Sequence, residues 1–311
     1  MPCQQSIEQR DGIAVHVLRT AEAEVRIVPE LGAKISSLRD RRTGREWLWS
    51  PPDAQLFRNR LGDSFDKSTI IGADECFPTI AACNWRNRNL PDHGEAWSLP
   101  WTVEAAGNSV TTKLTCVVSP FVMERTARLE ANVLHLDYTL TNVGAQPEEF
   151  LWALHPLMTI HPGDRLEIPT TQVTLEGATN CPLGERGTVL SWPRPNAAVH
   201  LAKMDFGQSA PWSLKAFAFD LTGQRAAIVN DVTGERLTIL YSGEALNTLG
   251  IFINRGGWNG FHKVALEPST GAPDALDVAA KDWRRCGKIM AGQRQEWSVR
   301  MELQAPAKIH I

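Results

Sequence analysis

Runs in which apolar and polar residues alternate with a period of two recur along this 311-residue chain, and no long segment carries the 3.6-residue period of an amphipathic helix. Successive side chains of an extended strand point to opposite faces, so each such run buries one face and wets the other. The pattern is plain at Glu24–Val28, Gly32–Leu38, Lys113–Val118, Ala131–Thr141, Ala226–Val229, Leu237–Tyr241, Thr248–Asn254 and Trp297–Leu303. Asp40-Arg-Arg-Thr-Gly44 and Val232-Thr-Gly-Glu235 separate strand-like runs as turns do. There is no internal repeat and no low-complexity linker. The pattern predicts an all-β fold, one large antiparallel β-sandwich domain over residues 1–311.

Composition narrows the partners. A formal net charge of -3 with 22% charged residues offers no field for nucleic acid or anionic lipid, so neither is expected. No stretch reaches the roughly 18 apolar residues of a membrane span, and Met1–Arg10 lacks a basic segment followed by an apolar one, which predicts a cytoplasmic protein. Six cysteines, at 3, 76, 83, 116, 181 and 286, form no CxxC pair and read as free thiols. No His, Cys and carboxylate cluster has metal-ligand spacing, so neither metal nor cofactor is expected. Tryptophan is abundant, 11 against 2 tyrosines, and five of them (Trp85, Trp97, Trp101, Trp152, Trp258) fall in or near the segments that carry proton-transfer chemistry. Indoles are core residues as a rule, yet their faces also stack on the C–H faces of sugar rings.

Three segments hold that chemistry. In Leu151-Trp-Ala-Leu-His155-Pro, a strand would place Leu151, Ala153, His155 and Leu157 on one face and Trp152 and Leu154 on the other. His155 reads either as a packed structural histidine or as a cleft-facing imidazole of near-neutral pKa, suited to general acid work. In Lys263-Val-Ala-Leu-Glu267-Pro, Lys263, Ala265 and Glu267 share a face. Glu267 reads either as half of a solvated Lys–Glu pair or as a general base at a cleft rim. In Leu90-Pro-Asp-His93-Gly-Glu95-Ala-Trp97, His93 sits in a turn among carboxylates, exposed or ligand-binding. Asp74 and Glu75 face opposite ways in an extended chain, so at most one joins the same cleft.

These segments together resemble the aldose 1-epimerase (galactose mutarotase-like) family. Leu31–Asp40 with Thr43–Trp49 is similar to its opening hairpin, and Gly72–Ile80 with Leu90–Trp97 to its first-histidine region. Trp152-Ala-Leu-His-Pro156 resembles the second-histidine strand, while Gly250–Asn254, Gly256-Gly-Trp258 and Ala265–Gly271 resemble the glutamate region. The resemblance implies a β-supersandwich isomerase with a concave sugar site. Glu267 would take the anomeric O1 proton, His155 would protonate the ring oxygen, and His93 would bind substrate and stabilise an alkoxide. Asp74, Trp97, Trp152, Trp258, Lys263 and Arg60 would contact the sugar. Arg58, Asn59 and Arg60 loosely match the Asn-Arg pair of galactose-specific members, and Asp220, Asp231 or Lys215 the distal hydroxyl-binding aspartate, so the chain is closer to a broad branch of the family.

The resulting expectation is an aldose 1-epimerase, acting on a small free sugar as a monomer or homodimer. A hexose-6-phosphate 1-epimerase is the alternative within enzymes; it needs arginines converging on the phosphate, for which Arg58, Arg60, Arg86, Arg88 and Arg255 are available. A non-catalytic carbohydrate-binding protein is the third reading, which would not require the acid and base together.

Overall fold

The computed structural model describes residues 2–204, 210–219 and 221–306. Its named strands all pair antiparallel, in two large sheets and two small two-stranded ones. An 11-stranded sheet runs from the hairpin Gln4–Arg10/Ile13–Arg19 through Ala23–Val28, Lys34–Asp40 and Ala73–Cys76 to a central group of four. That group is Ala153–Thr159, His262–Ser269, Thr248–Arg255 and Trp212–Ala218, with Gln172–Thr179 and Val189–Ser191 beyond it. An 8-stranded sheet is built around Arg294–Gln304, Val133–Asn142 and Phe121–Glu130. The helical content is one short stretch from Leu276 to Trp283 among the described residues apart from single 3-10 turns.

The alternating runs become these strands: Leu237–Tyr241 lies within Arg236–Ser242, Thr248–Asn254 within Thr248–Arg255, and Trp297–Leu303 within Arg294–Gln304. Val232–Glu235 is the turn between two paired strands, Arg225–Asn230 and Arg236–Ser242. Ala131 departs from the strand expected over Ala131–Thr141, because the chain turns there with φ of 50° before Val133.

The two sheets share one apolar core. Trp152 stands in it, with ring centroids 4.9 Å from Tyr138 and 5.1 Å from Trp297 on the facing sheet. A polar knot crosses the same core: Glu75 accepts hydrogen bonds from Arg125 (2.7 Å), Tyr138 (2.9 Å) and the Trp152 indole (2.8 Å). Buried polar groups are tolerated only when paired in this way. All six cysteines are free thiols, and among the described residues no helix is long and apolar enough to cross a membrane.

Candidate active site

The opposite face of the 11-stranded sheet carries the site. Ala153 pairs with Ser269 and Leu157 with Ala265, and because the register is the same at both ends, His155 lies opposite Glu267. Pro156 and Pro268 offer no N–H to the ladder in between. On the next strands Gly250 pairs with Glu267, and Lys215 with Phe252. Period-two alternation therefore turns His155, Leu157, Glu267, Phe252, Lys215 and Ser213 to one face. With no side chain of its own, Gly250 leaves room for the Glu267 carboxylate.

Above this floor lies a cavity of about 290 Å³, the size of one sugar ring, lined by His155, Lys215, Phe252, Trp258, His93 and Phe65, with Asp66, Asp92 and Asp274 among the remaining lining groups. A roomier one, about 360 Å³, opens near Trp192 and Arg225 but holds no facing acid and base. Chemistry rather than size selects the first. His155 Nε2 is 3.5 Å from Glu267 Oε1, while Lys215 Nζ is 2.5 Å from Glu267 Oε2 and 3.6 Å from Asp274 Oδ1. Glu267 is fully buried, and its Oε1 has no hydrogen-bond partner.

The His93 turn closes one side. His93 adopts φ of 57° and its N–H donates to the Ile80 carbonyl at 2.7 Å. Gly94 follows at φ of 73°, where a β-carbon would meet the Phe77 carbonyl oxygen at 2.0 Å, so only glycine fits. The His93 ring stacks on Phe65 with centroids 3.8 Å apart, and its centroid is 5.7 Å from that of His155. Phe65 comes from the loop that precedes the Ala73–Cys76 strand.

Burial sets the electrostatics. Desolvation, reinforced by Lys215, His93 and Lys263, drives the His155 pKa well below the ordinary histidine value. The near-neutral imidazole expected from the sequence is thus corrected: His155 is a neutral ring at pH 7. Burial alone would also lower the Lys215 pKa, but Asp274 and Glu267 outweigh it and raise the value, so the ammonium persists. Asp274 is raised, chiefly by burial and against the pull of Lys215.

The other sequence candidates divide. Trp258 lines the cavity. Lys263 is fully buried beside it, its Nζ over the rings of Trp49 (4.1 Å), Trp258 (4.5 Å) and Phe261 (5.3 Å), with no hydrogen-bond partner. Trp97 does not face the cavity; its indole donates to the Asp92 carbonyl at 2.9 Å and so supports the His93 turn from behind. Trp152 points to the inter-sheet core, on the face away from His155. Asp74 is fully buried and held by Lys34 at 2.5 Å. Arg60 is exposed on the loop, its backbone N–H bonded to Asp63. Glu95 is structural: its carboxylate accepts the backbone N–H groups of Val117, Val118 and Ser119. Of the distal candidates, Lys215 is in the site, Asp231 pairs with Arg165 at 2.7 Å elsewhere, and Asp220 lies outside the described residues.

Sequence reasoning missed Phe65, Asp66, Phe252 and Asp274. For Asp274 a signal exists in hindsight, a carboxylate in the Gly271-Ala-Pro-Asp turn seven residues after Glu267. Loop-borne Phe65 and Asp66 have none, because only tertiary contact brings them to His93. Among the described residues no group of three or more His, Cys, Asp or Glu side chains could hold a metal ion.

The sequence profile of the aldose 1-epimerase family matches residues 15–249. No curated protein sequence matches. Among solved structures the fold is similar to a protein of Synechocystis sp. PCC 6803, at 16% identity, 98% of this chain and 97% of that one, with a TM-score of 0.71. It is similar also to a galactose mutarotase related enzyme from Lactobacillus acidophilus (16% identity, 94% and 98% covered, TM-score 0.68). A galactose mutarotase-like protein from Clostridium acetobutylicum matches at 12% identity, with 98% and 99% covered and a TM-score of 0.71. At such identities the structures speak for the fold, and the profile speaks for the family: this chain belongs to the aldose 1-epimerase family.

Proposed function

We propose that this protein is an aldose mutarotase, interconverting the α and β anomers of a free, uncharged monosaccharide by opening and reclosing its ring. The observation that carries this reading is the 3.5 Å approach of Glu267 Oε1 to His155 Nε2, with His155 and Lys215 lining the cavity and the buried Glu267 carboxylate lying directly behind them. In a pyranose, O1 and the ring oxygen are both bonded to C1, about 2–3 Å apart, and each catalytic group must come within roughly 2.6–3.2 Å of its atom. Two side-chain atoms 3.5 Å apart suit that demand.

In this mechanism Glu267 Oε1, which has no hydrogen-bond partner, accepts the O1 proton as the C1–ring oxygen bond breaks. His155 delivers a proton to the departing ring oxygen through Nε2. Its low pKa makes the imidazolium scarce at neutral pH but strongly acidic when formed. His93 steadies the charge developing on the ring oxygen, and Trp258 supplies a face for the sugar's C–H groups. Rotation about C1–C2 and the reverse transfers close the ring on the other anomer.

The arginines that a phosphorylated substrate would need lie away from the cavity. Arg58 pairs with Glu30, Arg88 with Glu148, Arg86 with Glu149, Arg255 lies over Trp212, and Arg60 is exposed on its loop. Among the described residues none lines the cavity, whereas Asp66, Asp92 and Asp274 do. These carboxylates favour hydroxyl groups over phosphate. Polarimetry of freshly dissolved single anomers of neutral aldoses and of their 6-phosphates tests the reading. Faster relaxation is expected for at least one neutral aldose; acceleration confined to phosphorylated sugars, or none at all, would overturn it.

A further inference from the structure

We propose that Lys215, which Asp274 also contacts, is the positioning residue for Glu267: it takes up Oε2, leaves Oε1 as the one proton-accepting atom, and supplies the counter-charge to the buried carboxylate. The inference rests on the mutarotase reading for its meaning in catalysis, but the coupling itself is a property of the protein without sugar. An ionised carboxylate with no exposure is disfavoured by desolvation unless a cation and hydrogen bonds compensate it.

The groups packed around Glu267 leave one candidate for that cation. From the strand Ala153–Thr159 comes His155, which is neutral. Across from it Asp74 is engaged by Lys34, and the Cys76 thiol is pushed up by burial and so stays protonated. The strand Thr248–Arg255 contributes Gly250, which has no side chain. Lys263, on the strand of Glu267 itself, directs its Nζ into the aromatic cage of Trp49, Trp258 and Phe261. His93 is across the cavity. Lys215, at 2.5 Å, is the one lysine or arginine within 4.0 Å of Glu267 among the described residues. Asp274 sits on its far side at 3.6 Å and competes for the same ammonium.

This arrangement predicts opposite effects from its two ends. Lys215→Met strips the buried carboxylate of its counter-charge, so Glu267 holds its proton to higher pH and the acid limb of the anomerisation profile moves up by at least one unit, a tenfold change in proton affinity. Asp274→Asn removes a competing negative charge, so the limb moves down. Lys215→Arg keeps the charge and keeps the limb close to wild type. A second readout needs no activity: the infrared carboxyl band of Glu267, isolated by subtracting the Glu267→Gln spectrum, titrates in the sugar-free protein. Opposite displacements of that titration in Lys215→Met and Asp274→Asn are the expected result. If all variants melt like wild type and the Glu267 titration stays in place, or both move it the same way, the proposal is overturned, whatever the sugar assays show. Should Lys215→Met fail to fold, Asp274→Asn and Lys215→Arg decide it by the same band. A wild-type protein with the predicted titrations but no anomerisation would sink the mutarotase reading and leave the coupling standing.

Discussion

Replacing Gly250 by alanine tests whether the placement of Glu267 matters beyond its presence. Gly250 pairs directly with Glu267, and a β-carbon built on it would stand 3.0 Å from Glu267 Oε2 and 3.2 Å from Glu267 Cβ. Ordinary contacts between such atoms are about 3.5–4.0 Å. The carboxylate must therefore retreat by a few tenths of an ångström, to about half an ångström, carrying Oε2 away from Lys215 and Oε1 away from its 3.5 Å approach to His155. A misplacement of about 1 Å costs roughly 10²-fold in rate, so half of that costs on the order of tenfold. The backbone tolerates the change, since Gly250 is not among the residues with positive φ. Restricting the unfolded chain even favours the variant by about 0.4–1 kcal/mol, offset by the crowding. Turnover measured by polarimetry beside a thermal melt gives the answer. We expect Gly250→Ala to lose about tenfold in kcat with a nearly unchanged melting temperature; turnover within twofold of wild type would show that the Glu267 carboxylate is not held in the geometry described.

Trp258→Ala should raise KM more than it lowers kcat, and should abolish most of the tryptophan fluorescence quenching that a saturating sugar causes in the wild type, because the ring face that takes the sugar is gone. Lys263 gives a pH prediction for stability. Burial lowers its pKa from 10.5 to about 7, so between those values the unfolded chain binds a proton that the folded chain does not, and stability rises with pH across that window. The slope is at most about 1.4 kcal/mol per pH unit, reduced by the three ring faces, which favour the ammonium. Urea unfolding from pH 7 to 9.5 should show the rise in wild type and a flatter profile in Lys263→Met; identical profiles would refute it. Incubation with EDTA should leave anomerisation unchanged, and a loss restored by one divalent ion would contradict this.

How much of this could be read beforehand depends on the range of the interaction. Strand alternation is local, and it located the strands around Leu237, Thr248 and Trp297 and the shared face of Lys263, Ala265 and Glu267. The same alternation sets Trp152 on the face opposite His155, so its place between the sheets follows from the pattern, and counting it as a sugar contact set aside that parity in favour of closeness in sequence. The Trp97 indole hydrogen bond to the Asp92 carbonyl is local but belongs to an irregular turn that no periodicity encodes, and the aromatic cage around Lys263 depends on Trp49, distant in the chain. The pairing of Glu267 with Lys215 joins residues 52 apart through the intervening strand Thr248–Arg255. Burial, too, is collective: His155 loses its near-neutral pKa because Phe65, His93 and Lys215 close over it.

In the proposed reaction Glu267 and His155 exchange protons with one sugar's hemiacetal. Magnetisation-exchange NMR on an aldose labelled with carbon-13 at C1 measures it most directly, since cross-peaks between the α and β resonances report interconversion at equilibrium. Wild-type protein should produce strong cross-peaks, and Glu267→Gln and His155→Asn, both folded, should lower the exchange rate by about two to four decades. Exchange at the wild-type rate in either variant would contradict the account.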